Sequence, residues 1–256
     1  MIRDATDPAE VRHLSYETLG STNAEALALA RAGERGCVWI TAQTQSAGRG
    51  RRGRDWVSPR GNLYASLLMS EPSPAERAPQ LSFVAALAVH DAIADCAPDL
   101  ANKLALKWPN DVLLGGRKVA GLLIEAENVP VFSVAIGIGV NCISHPDIAA
   151  YPATDLASEG APITAEALFA ALARAMRQRL AQWQGGADFP AIRRVWLQHA
   201  AGLGEVIQVR LPDRELSGRF MGLDEHGRLL VQPDSGPHLK ITAGEVFGFG
   251  APKGQA

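Results

Sequence analysis

At 256 residues, 47% of them hydrophobic and 20% charged, the chain can bury one substantial core plus a smaller satellite, and its composition excludes general disorder. A formal net charge of −2 argues against a general affinity for nucleic acid or anionic membrane. Cys37, Cys96 and Cys142 form no CxxC pair, which excludes a disulfide framework or a cysteine zinc site and fits a reducing cytosol.

In chain order, the first residues, Met1-Ile2-Arg3-Asp4-Ala5-Thr6-Asp7, carry no apolar signal-peptide core, and no stretch is long enough to span a bilayer. The expectation is a soluble cytoplasmic protein. Alternation over residues 11–19 predicts a first strand. A helix opens at Ser21-Thr22-Asn23-Ala24-Glu25, with Thr22 and Glu25 at capping-box spacing and Ala24, Leu27, Leu29 and Ala30 on an apolar face. Residues 38–42 are β-rich. The strand predicted over 62–69 alternates Leu63, Ala65 and Leu67 against Tyr64 and Ser66.

Residues 81–96 predict a long apolar helix, and short strands follow at 104–107, 112–114, 118–125 and 131–140, with Gly115-Gly116 as a hairpin turn. Helices return at 165–184 and 190–199. Beyond Gly202 the pattern changes to short strands at 205–211, 216–223, 229–232 and 239–241, separated by Pro-Asp and Gly-containing turns. The reading is an α+β fold, a mixed β-sheet with flanking helices over residues 1–202 and a small β domain over 203–256, the junction lying near 200–204.

Polar clusters stand at the ends of these elements. Ser21-Thr22-Asn23 reads either as ordinary N-capping or as hydroxyl and amide groups facing a neutral polar ligand, since one cap leaves the others free. Gly48-Arg49-Gly50-Arg51-Arg52-Gly53-Arg54, preceded by Gln45, reads either as a solvated basic loop or as an anion trap of backbone amides and guanidinium forks. Lys107-Trp108-Pro109-Asn110-Asp111 is a β-turn, or a turn that places Asn110 on a phosphate and Asp111 on Mg²⁺. Gly116-Arg117-Lys118-Val119-Ala120-Gly121 and Gly137-Ile138-Gly139-Val140-Asn141 complete the set; the latter is either a bulge or a close approach to a flat ligand.

The order and spacing of these motifs closely resemble the biotin protein ligases, over roughly residues 14–250. The Gly/Arg loop and Lys-Trp-Pro-Asn-Asp are specific to that family, and the segment through Gly244-Glu245-Val246 resembles its small SH3-like C-terminal domain. The resemblance implies a class II synthetase-like catalytic domain. It implies an enzyme that activates biotin with ATP and Mg²⁺ to biotinyl-5′-AMP, with no prosthetic group. Biotin then passes to a lysine of a biotin carboxyl carrier protein or domain.

By motif position, the resemblance places Ser21, Thr22 and Asn23 around biotin, with Thr22 and Asn23 on the ureido ring. Gln45, Arg49, Gly50 and Arg51 hold the valeryl chain, the carboxylate and the adjacent phosphate, and Gly121 and Gly139 approach biotin. Arg52 and Arg54 face the nucleotide phosphates, and Asn141 the nucleotide. Lys118 is the main electrophilic group, with Arg51 and Arg54 beside it as catalytic residues. Trp56 packs the loop rather than stacking on adenine.

The Gly/Arg loop is expected to be mobile when empty and to close over ligand, with residues 142–153 as a second lid. Few residues precede the first strand, so a ligase without repressor function or DNA binding is expected, either monomer or homodimer. Two alternatives stand beside this reading. One is a lipoate or octanoate ligase or transferase of the same fold, whose Arg-Arg-x-x-Gly-Gly-Gly pattern is missing here. The other is a nucleic-acid-binding module, which leaves Ser21–Asn23 and Lys107–Asp111 unexplained.

Overall fold

A computed structural model describes residues 11–147 and 152–249. Seven strands form one sheet: β1 (Arg12–Leu19), β2 (Cys37–Gln45), β3 (Leu63–Ser70), β4 (Leu104–Lys107), β5 (Asp111–Leu114), β6 (Arg117–Asn128) and β7 (Phe132–Val140), in the order β1-β2-β3-β7-β6-β5-β4. Only β1 and β2 run parallel, and α1 (Thr22–Arg31) makes the crossover that a parallel pair requires. The sheet is therefore mixed, as the sequence predicts.

Helices cover both faces. Ala26, Leu27 and Ala30 of α1 pack with Val38, Ile40, Leu68 and Ala135 on one side. On the other, α2 (Leu81–Cys96) and α3 (Ala165–Trp183) pack against Trp39, Leu63, Ala65 and Leu67. This double cover corrects the alternation expected in β3, because Tyr64 and Ser66 are as buried as their neighbours. Helix α2 is apolar on nearly all sides because it lies between the sheet and α3. The capping-box expectation is also corrected. Ser21 is the N-cap, its Oγ accepting from the Ala24 amide, and Thr22 is already helical.

After α4 (Phe189–Gln198), a second, antiparallel sheet contains β8 (Val206–Arg210), β9 (Glu215–Leu223), β10 (Leu229–Gln232), β11 (Leu239–Ile241) and β12 (Glu245–Phe249), in the order β11-β10-β9-β8-β12. Its apolar face joins the main core. Gly227, between β9 and β10, lies against Phe83 and Phe189, where a Cβ would come within 2.6 Å of the Phe83 ring, and Trp108 Nε1 donates to Gly227 O at 3.1 Å. These contacts bring the start of β12 to the mouth of the cavity described next.

Candidate active site

A cavity of about 360 Å³ opens between the N-terminus of α1, the Gly/Arg loop, the β4–β5 turn, β6, β7 and the start of β12. That volume suits a small-molecule or nucleotide ligand. Fourteen of the residues singled out from sequence line it: Ser21, Thr22, Asn23, Gln45, Arg49, Gly50, Arg51, Arg54, Asn110, Asp111, Lys118, Gly121, Gly139 and Asn141. Arg52 does not. It is exposed, with φ of 58°, and it stands away from the cavity because a left-handed residue turns the chain there.

The floor is neutral and buried. Ser66 Oγ lies 2.8 Å from Thr22 Oγ1 and 2.7 Å from Asn23 Oδ1. Gln45 Oε1 accepts from the Thr22 amide at 2.8 Å and from its hydroxyl at 3.2 Å. Gln45 Nε2 in turn donates to Ser58 Oγ at 3.0 Å, and Ser58 donates to Trp56 O at 2.8 Å. One chain of hydrogen bonds thus runs from the floor to the foot of the loop. Gly137 and Gly139 on β7 make room above it. A Cβ at Gly137 would lie 2.6 Å from Asn23 Oδ1, and one at Gly139 would lie 2.6 Å from the Trp56 ring.

Trp56 lies on Gly139 and Gly121, with Lys118 Nζ 5.3 Å from its ring centroid. It packs against the sheet beside the cavity, and its buried Nε1 has no hydrogen-bond partner. Such an orphan donor costs about 1–3 kcal/mol, a cost that a ligand acceptor would relieve.

The loop is held differently. No residue from Arg49 to Asp55 is buried. A short turn closes through the Gly50 amide to Arg54 O at 2.7 Å and a bridge between Arg49 and Asp55. Arg51 then donates to Asn110 Oδ1 at 3.0 Å and to Gly244 O at 3.2 Å, while Arg54 pairs with Glu245 at 3.0 Å. Burial lowers the pKa of Arg51, and the neighbouring Arg52 charge adds to that effect.

Across the cavity, Asp111 Oδ1 lies 2.6 Å from Lys118 Nζ and Oδ2 lies 3.2 Å from Lys107 Nζ. Burial pushes the Asp111 carboxyl up, but the two ammonium groups outweigh it and hold the carboxyl below its ordinary value. A carboxylate already flanked by two cations is committed to them and does not fit as a ligand for Mg²⁺. The metal role expected of Asp111 is therefore not supported by its surroundings. Asp111 instead sets the positions of Lys118 and Lys107.

Asn141 donates to Thr154 O at 3.0 Å and fastens the segment after β7. Within the expected second lid, residues 148–151 lie outside the described residues; Pro146 and Ala153 on either side line the cavity. Sequence reasoning gave no role to Lys107, Ser58, Ser66, Glu125 or Glu245. Lys107 and Glu245 stand in segments already quoted, whereas Ser58, Ser66 and Glu125 carry no local signal, Ser66 and Glu125 being brought in by strand pairing and Ser58 by Gln45.

The arrangement is bipolar, with a neutral hydrogen-bonding floor at one end and Arg51, Arg54, Lys107 and Lys118 gathered around Asn110, Asp111 and Glu245 at the other, while Arg49 reaches back to Glu125 beside the floor. It suits a ligand with a polar, uncharged head and anionic groups further along. Residues 30–141 match the Biotin/lipoate A/B protein ligase family, and residues 202–247 match the Biotin protein ligase C terminal domain. The chain is 45% identical to the Biotin--[acetyl-CoA-carboxylase] ligase of Paracoccus denitrificans, over 89% of this chain and 96% of that one. It is 32% identical to the Bifunctional ligase/repressor BirA of Bacillus subtilis, over 88% of this chain and 71% of that one. A solved biotin protein ligase from Aquifex aeolicus, in complex with biotin and ATP, superposes with a TM-score of 0.78 at 25% identity, covering 92% of this chain and 97% of that one.

Proposed function

We infer that this chain, which belongs to the biotin protein ligase family, is an ATP-dependent ligase that activates biotin and transfers it to a carboxylase carrier. The observation that carries the reading is the bipolar cavity. A ureido ring offers one carbonyl and two N–H groups to the floor of Ser21, Thr22, Asn23 and Gln45. A lipoyl or octanoyl head offers that floor no hydrogen bonds, so the spare capacity of Asn23 Oδ1 and its neighbours, cut off from water by the ligand, goes unused.

In the first step a carboxylate oxygen of biotin attacks the α-phosphorus of ATP. The new C–O–P bond forms as the bond to the β-phosphate bridge breaks, and pyrophosphate leaves. Bringing a carboxylate to a phosphate costs about 4 kcal/mol per like-charge pair at ~4 Å in a medium of effective dielectric about 20. Lys118, held by Asp111, offsets that repulsion and the charge that develops in the transition state. Arg51 serves the carboxylate and the adjacent phosphate, and Arg54 and Lys107 serve the rest of the polyphosphate. Asn110 orients Arg51, and Asn141 lines the nucleotide side.

In the second step the amine of an acceptor lysine attacks the acyl carbon, AMP leaves, and an amide forms. The acceptor is a biotin carboxyl carrier protein or domain. The Gly/Arg loop acts as a lid that keeps water from the mixed anhydride, since polar contacts rather than core packing hold it. Three free cysteines suit a reducing, cytosolic setting, and no helix among the described residues is long and apolar enough to cross a membrane.

The test is ATP–pyrophosphate exchange with biotin, lipoate and octanoate side by side. Exchange with biotin alone is the expected result. Exchange with lipoate or octanoate and none with biotin would overturn the reading.

A further inference from the structure

We propose that Glu125, which does not line the cavity, is a positioning residue that orients Asn23 for the ureido ring and ties the arginine loop to the cavity floor. The inference rests on the biotin ligase reading.

Glu125 lies on β6 opposite Ala135 of β7, behind the floor. Its Oε2 accepts from Asn23 Nδ2 at 2.8 Å, and both its oxygens lie 3.2 Å from Arg49 Nη2. Among the described residues, the other hydrogen bond of Asn23 Nδ2 is to Leu123 O, at 3.2 Å. Both amide protons of Asn23 are therefore spent on β6, while Oδ1 faces Ser66 Oγ. Asn23 is buried and lines the cavity, so the remaining lone pair on Oδ1 is what it offers a ligand. That acceptor matches a ureido N–H. A flipped amide would present N–H groups to N–H groups.

A carboxylate at 125 makes the flip unfavourable because it accepts and never donates. A neutral Gln could satisfy Asn23 but not the charge of Arg49. The same carboxylate holds Arg49, the first arginine of the loop, whose side chain is 45% exposed. One residue thus couples a permanent floor contact to a lid contact that water and salt can reach. No other acidic side chain among the described residues is hydrogen-bonded to both a floor residue and a loop arginine.

Two variants separate the two roles. Glu125→Gln keeps an acceptor for Asn23 and removes the ion pair with Arg49; Glu125→Leu removes both. The measurements are biotin KM and kcat in pyrophosphate exchange, release of biotinyl-5′-AMP from preloaded enzyme, and Tm.

For Glu125→Gln we expect a biotin KM within about threefold of the parent and adenylate release roughly fivefold faster at low salt, the difference shrinking as salt screens the parent's pair. For Glu125→Leu we expect biotin KM to rise about 10- to 100-fold, with kcat at saturating biotin little changed. Parental KM and release in both variants would overturn the inference. So would a fall in kcat that tracks Tm while KM and release stay put, since that is a structural role. If the parent protein shows no biotin-dependent exchange, the functional reading fails and this inference falls with it. Unaffected variants of an active parent defeat the inference alone.

Discussion

The cavity floor at Ser21–Asn23 and the arginine loop at Arg49–Arg54 face the same ligand space but are held by different forces. The floor is a buried web of neutral hydrogen bonds through Ser66, Thr22, Gln45 and Ser58. In the loop only Arg51 is substantially covered, and the arginines fasten it to Asn110, Gly244, Glu245 and Glu125. A buried neutral web is costly to break and insensitive to salt. Exposed ion pairs are cheap to break and screened by salt. In the function proposed above, the floor is the part that selects the ligand and the loop the part that yields and closes. A pocket that must both discriminate and admit its substrates needs each kind.

The largest test removes the charge at the reaction centre. Lys118→Gln should lower the exchange rate at saturating substrates by about 100- to 1,000-fold, the usual loss on deleting one group that stabilises transition-state charge. Asp111 keeps Lys107 at 3.2 Å, so chemical denaturation should show only a modest loss of stability. Exchange within a few-fold of the parent would remove Lys118 from the mechanism.

Next, Ser66→Ala strikes the floor. Ser66 is fully buried, and without its hydroxyl Thr22 Oγ1 and Asn23 Oδ1 lose a shared partner. Unfolding in urea should show a loss of about 1–3 kcal/mol, equal at low and high salt, with biotin KM raised roughly tenfold. A strongly salt-dependent loss would contradict the neutral character assigned to the floor.

The smallest effect is expected for Glu245→Gln, which weakens a pair whose Arg54 side chain is 48% exposed. Stability should change by no more than about 0.5 kcal/mol, while KM for ATP rises about two- to fivefold. Added salt should raise the parent's KM toward that of the variant. A variant that unfolds, or whose ATP kinetics match the parent at low salt, would show that β12 does not steady the loop.

Much of the site is legible along the chain because its parts lie at element ends, where local rules are strong. Gly115-Gly116 forms the expected turn, with φ of 57° and 78°, and Leu81–Cys96 is helical over the predicted span. The misreadings have physical causes. Tyr64 and Ser66 alternate with Leu63, Ala65 and Leu67 yet are equally buried, because alternation reports a period and not what covers each side. Thr22 was given the cap because its spacing to Glu25 fits, although Ser21 one residue earlier reaches the Ala24 amide. Arg52 looked equivalent to its neighbours, but its left-handed backbone sends it out of the cavity.

What the sequence determined by itself was the chemical inventory: hydroxyl and amide groups, interleaved glycine and arginine, and an isolated lysine after a hairpin, in an order that resembles one family. These are local properties, carried by residue type and short spacing. Only the tertiary structure decided which groups meet. Strand pairing carried Glu125 and Ser66 to Asn23 across 102 and 43 residues, and the second sheet carried Glu245 to Arg54 across 191. It also enclosed Asp111 between Lys107 and Lys118. Contacts at such separations follow from how the sheets close, so no window of sequence contains them.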